Sequence, residues 1–126
     1  MRRRAREAAL RLLYRREFFP EAAAELPATQ GLGKEHKFAC DLLLGVIAHQ
    51  EEIDHIIDRR AQGWGIDRLA LMDRNILRLA LYELLHSDTP PEVVIDEAVE
   101  LAKRYGTERA PTFINAILDH VWKEGA

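Results

Sequence analysis

The sequence is poor in several residue types that organise other kinds of protein. It has a single cysteine, Cys40, among 126 residues. No disulfide can close within it, which fits a reducing, cytoplasmic setting. No run of about 18 apolar residues occurs, so no membrane span is expected. The basic start is not followed by the apolar stretch of a secretory signal. Alternation of apolar and polar residues, the mark of strands, is almost absent. There is no G-x-S-x-G nucleophile turn and no phosphate-cradling glycine loop, and Gly31-Leu32-Gly33 reads as a flexible connector. With no nucleophile constellation and no cofactor motif, an enzyme is not expected.

What is present is helical spacing on a chain that is 48% hydrophobic. This predicts an all-α fold, a compact bundle of seven helices forming one domain over 1–126. A first helix is expected at about 2–19, with Ala5, Ala8, Ala9, Leu12, Leu13 and Phe19 as its apolar stripe and Pro20 as its stop. A connector at about 20–33 follows, with a short helical turn at 21–25. Helices are then expected at 34–49 and 51–60, either separate or continuous. The Gly63-Trp64-Gly65 break precedes a short helix at 67–71. Asp73 is expected to cap the next helix, which runs to His86. That helix is apolar nearly all round and so should be central. Thr89-Pro90-Pro91-Glu92 reads as a capping box opening a helix that Gly106 closes in a left-handed conformation. The last helix spans 111–123. Trp64 and Trp122 are expected in the core or at a seam.

Charge is distributed unevenly. The formal net charge is −3, yet residues 1–16 hold seven arginines and one acid, Glu7. At 100° per residue Arg4, Arg11 and Arg15 fall within about 40° of one another, flanked by Tyr14 and Phe18. Like charges without acidic partners one turn away destabilise a helix unless an anion neutralises them. Guanidinium groups grip phosphate in a bidentate fashion and an aromatic ring stacks on an unpaired base. The pattern points to a single-stranded polyanion, RNA more than duplex DNA because the rest of the chain is acidic. The bland alternative is a solvated charged face.

Other constellations are weaker. His36 and Cys40 share a helical face at a ligand spacing, but no second pair accompanies them, so no metal site is expected. Asp54, His55 and Asp58 fit exposed charges better than acid–base chemistry. Glu83 sits on an apolar face and requires an arginine or a helix N-terminus beside it, or else belongs to a partner surface. A helix-turn-helix DNA reader would need a polar recognition helix, and the candidate second helices are strongly apolar. The main rival is a protein-docking module or self-associating bundle whose basic helix meets an acidic partner or its own twin.

Five stretches together resemble the NusB family of transcription antitermination factors. They are RRRAREAALRLLY, FACDLLLGVIAHQEEID, WGIDRLALMDRNILRLALYELL, TPPEVVIDEAVELAKRYG and FINAILDHV. The resemblance implies a seven-helix bundle that binds the boxA element of nascent ribosomal RNA. It also implies a partner, NusE, a small-subunit ribosomal protein, and entry into an elongating RNA polymerase complex. Family members occur as monomers and as homodimers. The family's basic motif maps onto Arg2, Arg3, Arg4 and Arg6. From the helical stripe, Arg11 and Arg15 are expected to add phosphate contacts, and Tyr14 matches an aromatic near the same surface. Phe113 falls where the family has a phenylalanine that approaches RNA. Asp73 matches an acidic residue at the NusE contact, and Arg74, Leu77 and Glu83 join it as an expected partner-binding face. Arg109 stands where relatives can carry an acid, a change that would favour RNA.

Overall fold

The computed structural model describes residues 2–21, 31–61 and 65–125. Among them are six α-helices and no strand. The helices are α1 (Arg3–Phe18), α2 (His36–Ala48), α3 (Gln50–Arg60), α4 (Leu71–His86), α5 (Pro91–Tyr105) and α6 (Ala110–Glu124). Two 3-10 turns, Gly33–Glu35 and Ile66–Arg68, lead into α2 and α4. Among the described residues there are therefore six helices where seven were expected for the chain. The segment expected as a helix at 67–71 is a single tight turn, since Leu69 is extended and α4 has its own start at Leu71. Asp58 holds this turn, accepting a hydrogen bond from the Ile66 N–H at 2.9 Å. His49 alone separates α2 from α3. The expected turn at 21–25, apart from residue 21, and Trp64 lie outside the described residues.

Helix α4 touches every other helix. Its Ile76, Leu77, Leu79 and Leu81 are fully buried, joined by Leu10 of α1, Leu43 of α2, Ile57 of α3 and Leu118 of α6. Each such side chain contributes about 1.5–3 kcal/mol by leaving water. Phe19 and Trp122 do not join the core; both are exposed.

Three end signals work differently from the sequence reading. Pro90, not Thr89, is the N-cap residue of α5, and no side chain caps it. Gly106 has φ −87°, so it is not left-handed. It is needed for space: a Cβ there would lie 2.7 Å from Asp73 Oδ1 and 2.9 Å from the Ala102 carbonyl oxygen. Asp73 is not a cap either. Ala70 is the N-cap residue of α4, and Asp73, in the first turn, holds the α5–α6 connection instead. It accepts hydrogen bonds from the Thr107 N–H at 3.0 Å and the Thr107 hydroxyl at 2.7 Å. Gly45 makes room in the same way for the Tyr82 ring, which lies where its Cβ would be.

Candidate nucleic-acid interface

Helix α1 has no acidic residue in its first turn and no side-chain N-cap. Its N-terminal end is therefore positive twice over, from unpaired N–H groups and from arginines. The arginines divide into two sets by the direction they face.

The inward set is engaged. Arg6 is 5% exposed and forks onto the Glu83 carboxylate of α4, with Nε–Oε1 at 2.9 Å and Nη2–Oε2 at 2.5 Å. Glu83, at 1% exposed, thus has the arginine partner that its place on an apolar face requires. Arg3 forks onto Glu97 of α5 at 3.0 and 2.9 Å. The hydrogen bond from Arg3 and the charges of Arg3 and Arg6 hold the Glu97 carboxyl below its usual range, although partial burial opposes them. The two acids of α1 also face inward. Glu7 meets Arg104 and accepts from the Tyr105 hydroxyl at 3.0 Å. Glu17 accepts from Arg78 at 2.7 Å. Arg78 also forks onto Asp54 of α3, at 2.7 and 2.9 Å. Burial alone would lower the Arg78 pKa, but its bonds to Asp54 and Glu17 outweigh this and raise it.

The outward set is open. Arg4, Arg11 and Arg15 are exposed, and none of them forms an ion pair among the described residues. The Arg15 guanidinium lies 5.8 Å from the Phe19 ring centre. Tyr14 and Phe18 meet edge to face, with ring centres 5.2 Å apart, and Phe18 is exposed. Arg2 lies at one border of α1. It is 3.7 Å from Glu35 and its guanidinium covers the Phe38 ring at 4.1 Å. The result is a cationic helix face with aromatic rings between and beside the charges. Such a face suits a phosphate backbone with unstacked bases.

Several expected site residues lie elsewhere. Arg6 cannot reach a phosphate while it is buried on Glu83, so its assignment as a phosphate contact is corrected. Phe113 is half-buried on α6 and lines a separate groove with Arg60, Arg68, Leu69 and Arg109, and no α1 residue borders that groove among the described residues. Of the four expected partner residues, Asp73 is 2% exposed, with both oxygens occupied by Thr107. Leu77 and Glu83 are equally buried. Leu77 and Glu83 form internal contacts because they point from α4 into neighbouring elements, whereas Asp73, though buried, also borders the groove that Phe113 lines. Arg74 alone of the four keeps some exposure; its Nη2 donates to the Leu69 carbonyl at 3.4 Å and its buried Nε has no partner among the described residues.

His36 and Cys40 touch, Nε2 to Sγ at 3.5 Å. No group of three His, Cys, Asp or Glu side chains is arranged for a metal among the described residues. No helix of the described residues is long and apolar enough to cross a membrane. The ion-pair partner of Arg3, missed in the sequence, is Glu97. Its signal was present, because it lies beside Val94 and Leu101 at the edge of the α5 apolar stripe.

Residues 3–123 match the NusB family. The chain is 45% identical to the transcription antitermination protein NusB of Geobacter sulfurreducens, over 95% of this chain and 92% of that protein. It superposes on the solved structure of T. maritima NusB with a TM-score of 0.90 and 42% identity, covering 100% of this chain and 93% of that one. It is also similar, at a TM-score of 0.80 and 32% identity, to a chain in a crystal structure of the antitermination factors NusB and NusE in complex with double-stranded RNA; 98% of each chain is covered.

Proposed function

Because the chain belongs to the NusB family, we propose that it is a non-catalytic, RNA-binding transcription antitermination factor acting in the cytoplasm as one domain. With a NusE-type ribosomal protein it binds a boxA-like segment of nascent ribosomal RNA and joins the elongating RNA polymerase complex. The observation that carries this reading is the outward face of α1. Arg4, Arg11 and Arg15 stand exposed there beside Tyr14 and Phe18, on a chain that is otherwise acidic. Arg2 extends the face at its border, and Arg3 lies at the edge facing α5. Phosphates supply the anions that this face lacks, and the two rings offer stacking worth about 1–3 kcal/mol per base. Phe113 contributes from its separate groove if the strand continues beyond α1. Arg74 is the accessible anchor for the protein partner.

The test is a titration with boxA-like single-stranded RNA, a scrambled strand and a duplex of the same sequence, each with and without NusE. The duplex belongs in the set because the related NusB–NusE complex holds one. Affinity should fall with salt at a slope of roughly −0.7 per phosphate neutralised on a single strand. Replacing Arg4, Arg11 and Arg15 together by alanine should weaken binding about tenfold or more and flatten that slope, while the melting temperature stays put. An affinity indifferent to salt, or to all three substitutions, sinks the reading. Self-association that buries α1 would appear as a mass increase that RNA reverses.

A further inference from the structure

We infer that Glu97 is a built-in competitor for the RNA backbone: it occupies the phosphate-gripping edge of Arg3 and must be displaced before that arginine can hold a strand. The inference rests on the RNA-binding reading above and concerns the regulation of the same face.

The geometry is specific. The Arg3 Nε and Nη2 donate in parallel to the two Glu97 oxygens at 3.0 and 2.9 Å. A carboxylate and a phosphate present the same two-oxygen edge to a guanidinium, so only one can use it at a time. The pair is placed for exchange. The Arg3 side chain is 41% exposed and Glu97 is 19% exposed, whereas the Arg6–Glu83 pair beside it is sealed in the core. Glu97 would not be stranded if Arg3 left, because Arg6 Nη1 lies 3.9 Å away. Arg6 can therefore serve as a second counterion. Asp96 and Glu100 line the same cleft as Arg3, with Lys103 offsetting Glu100 at 3.7 Å, so the border stays net acidic through Asp96 and Glu97. Until a strand outcompetes this acidic border, Arg3 adds little attraction. The open arginines make first contact, and Arg3 engages only a strand whose phosphates reach the α5 side. Glu97 thus tunes affinity and sets a threshold for the length or path of RNA that is held.

The experiment is a cycle in the full chain: wild type, Glu97→Gln, Arg3→Ala and the double variant, titrated with boxA-like single-stranded RNA at several salt concentrations. Glu97→Gln keeps the side-chain shape and removes its charge. It should bind about threefold or more tightly, with a salt slope steeper by about 0.7, the signature of one further phosphate contact. The gain should vanish in the double variant. Asp96→Asn, which removes a charge from the same cleft without touching an arginine bond, should give a smaller gain and no new contact in the slope. Should Glu97→Gln fold poorly, Arg3→Ala in the otherwise natural chain still decides, since it should cost less RNA affinity than Arg11→Ala. Unchanged or weaker binding by Glu97→Gln, or an equal gain from Asp96→Asn, overturns the competitor role while wild-type binding stands. Absence of salt-dependent binding in every protein, wild type included, overturns the RNA reading and this inference with it.

Discussion

The two faces of α1 carry the same side chain to opposite ends. Arg6 and Arg11 are a turn and a half apart on one helix, yet one is sealed against Glu83 and the other stands in solvent with no ion-pair partner among the described residues. Position on the helix decides between them. An arginine that faces α4 must be neutralised by the protein, because desolvating a lone guanidinium costs several kcal/mol. An arginine facing outward is solvated and keeps its field for a ligand. Residue type alone therefore says nothing about which arginines are open to a ligand.

The sharpest way to break this comparison is Arg6→Ala against Arg11→Ala. The first leaves Glu83 buried without a counterion and should destabilise by about 3–5 kcal/mol, a change that chemical denaturation reads directly. The second should stay within about 0.5 kcal/mol. Similar losses from both would mean that the two faces are not distinct. A smaller effect is expected at Asp73, which extends the inward logic to a neutral partner. Asp73→Ala leaves the Thr107 N–H without its acceptor and should cost about 1–3 kcal/mol, with hydrogen exchange rising first at the α5–α6 connection. Unaltered exchange there would show that the aspartate is not what holds the turn. The smallest effect concerns Glu97, at the boundary between the faces. Its folded pKa lies below its unfolded one, so its stabilising contribution is present above the usual carboxylate range and is lost as pH falls through the depressed value. Between pH 7 and pH 3 the wild type should lose more melting temperature than Glu97→Gln. Parallel curves would mean that the Arg3–Glu97 pair does not stabilise the fold.

Much of the bundle was legible because apolar spacing survives without neighbours. The all-round apolar pattern of 76–85 marked α4 as central, and a carboxylate at Glu83 demanded a cation. The open stripe of Arg4, Arg11 and Arg15 also followed from angle alone. What failed was the grouping of Arg6 with the other arginines as one motif. At 100° per residue, Arg6 falls between Leu13 and Leu10 on the wheel, and with both of these buried the angle puts it on the inward side, a signal lost because Leu10 was not counted in the stripe. The partner face failed for a different reason. Asp73 and Leu77 were placed on that face without their packing, and only the packing of the neighbouring elements reveals that both are buried there. The role of Gly106 was illegible because it depends on a carboxylate 33 positions away. The ends of α4 and α5 were misread where an extended backbone starts a helix without a polar cap.

Helix α4 sends out Asp73, Arg78 and Glu83 at intervals of five residues, each toward a different part of the chain: the α5–α6 connection, then α3 together with the end of α1, then the start of α1. The bundle is thus wired like a wheel whose hub carries the electrical connections. Peeling away the start of α1 strands Glu83 on the hub, and peeling away its end takes one of two carboxylates from Arg78, so the arm that meets solvent on one side is fastened at both ends on the other. Its outward arginines are held on a stiff rod, and a strand laid along them meets their spacing already set.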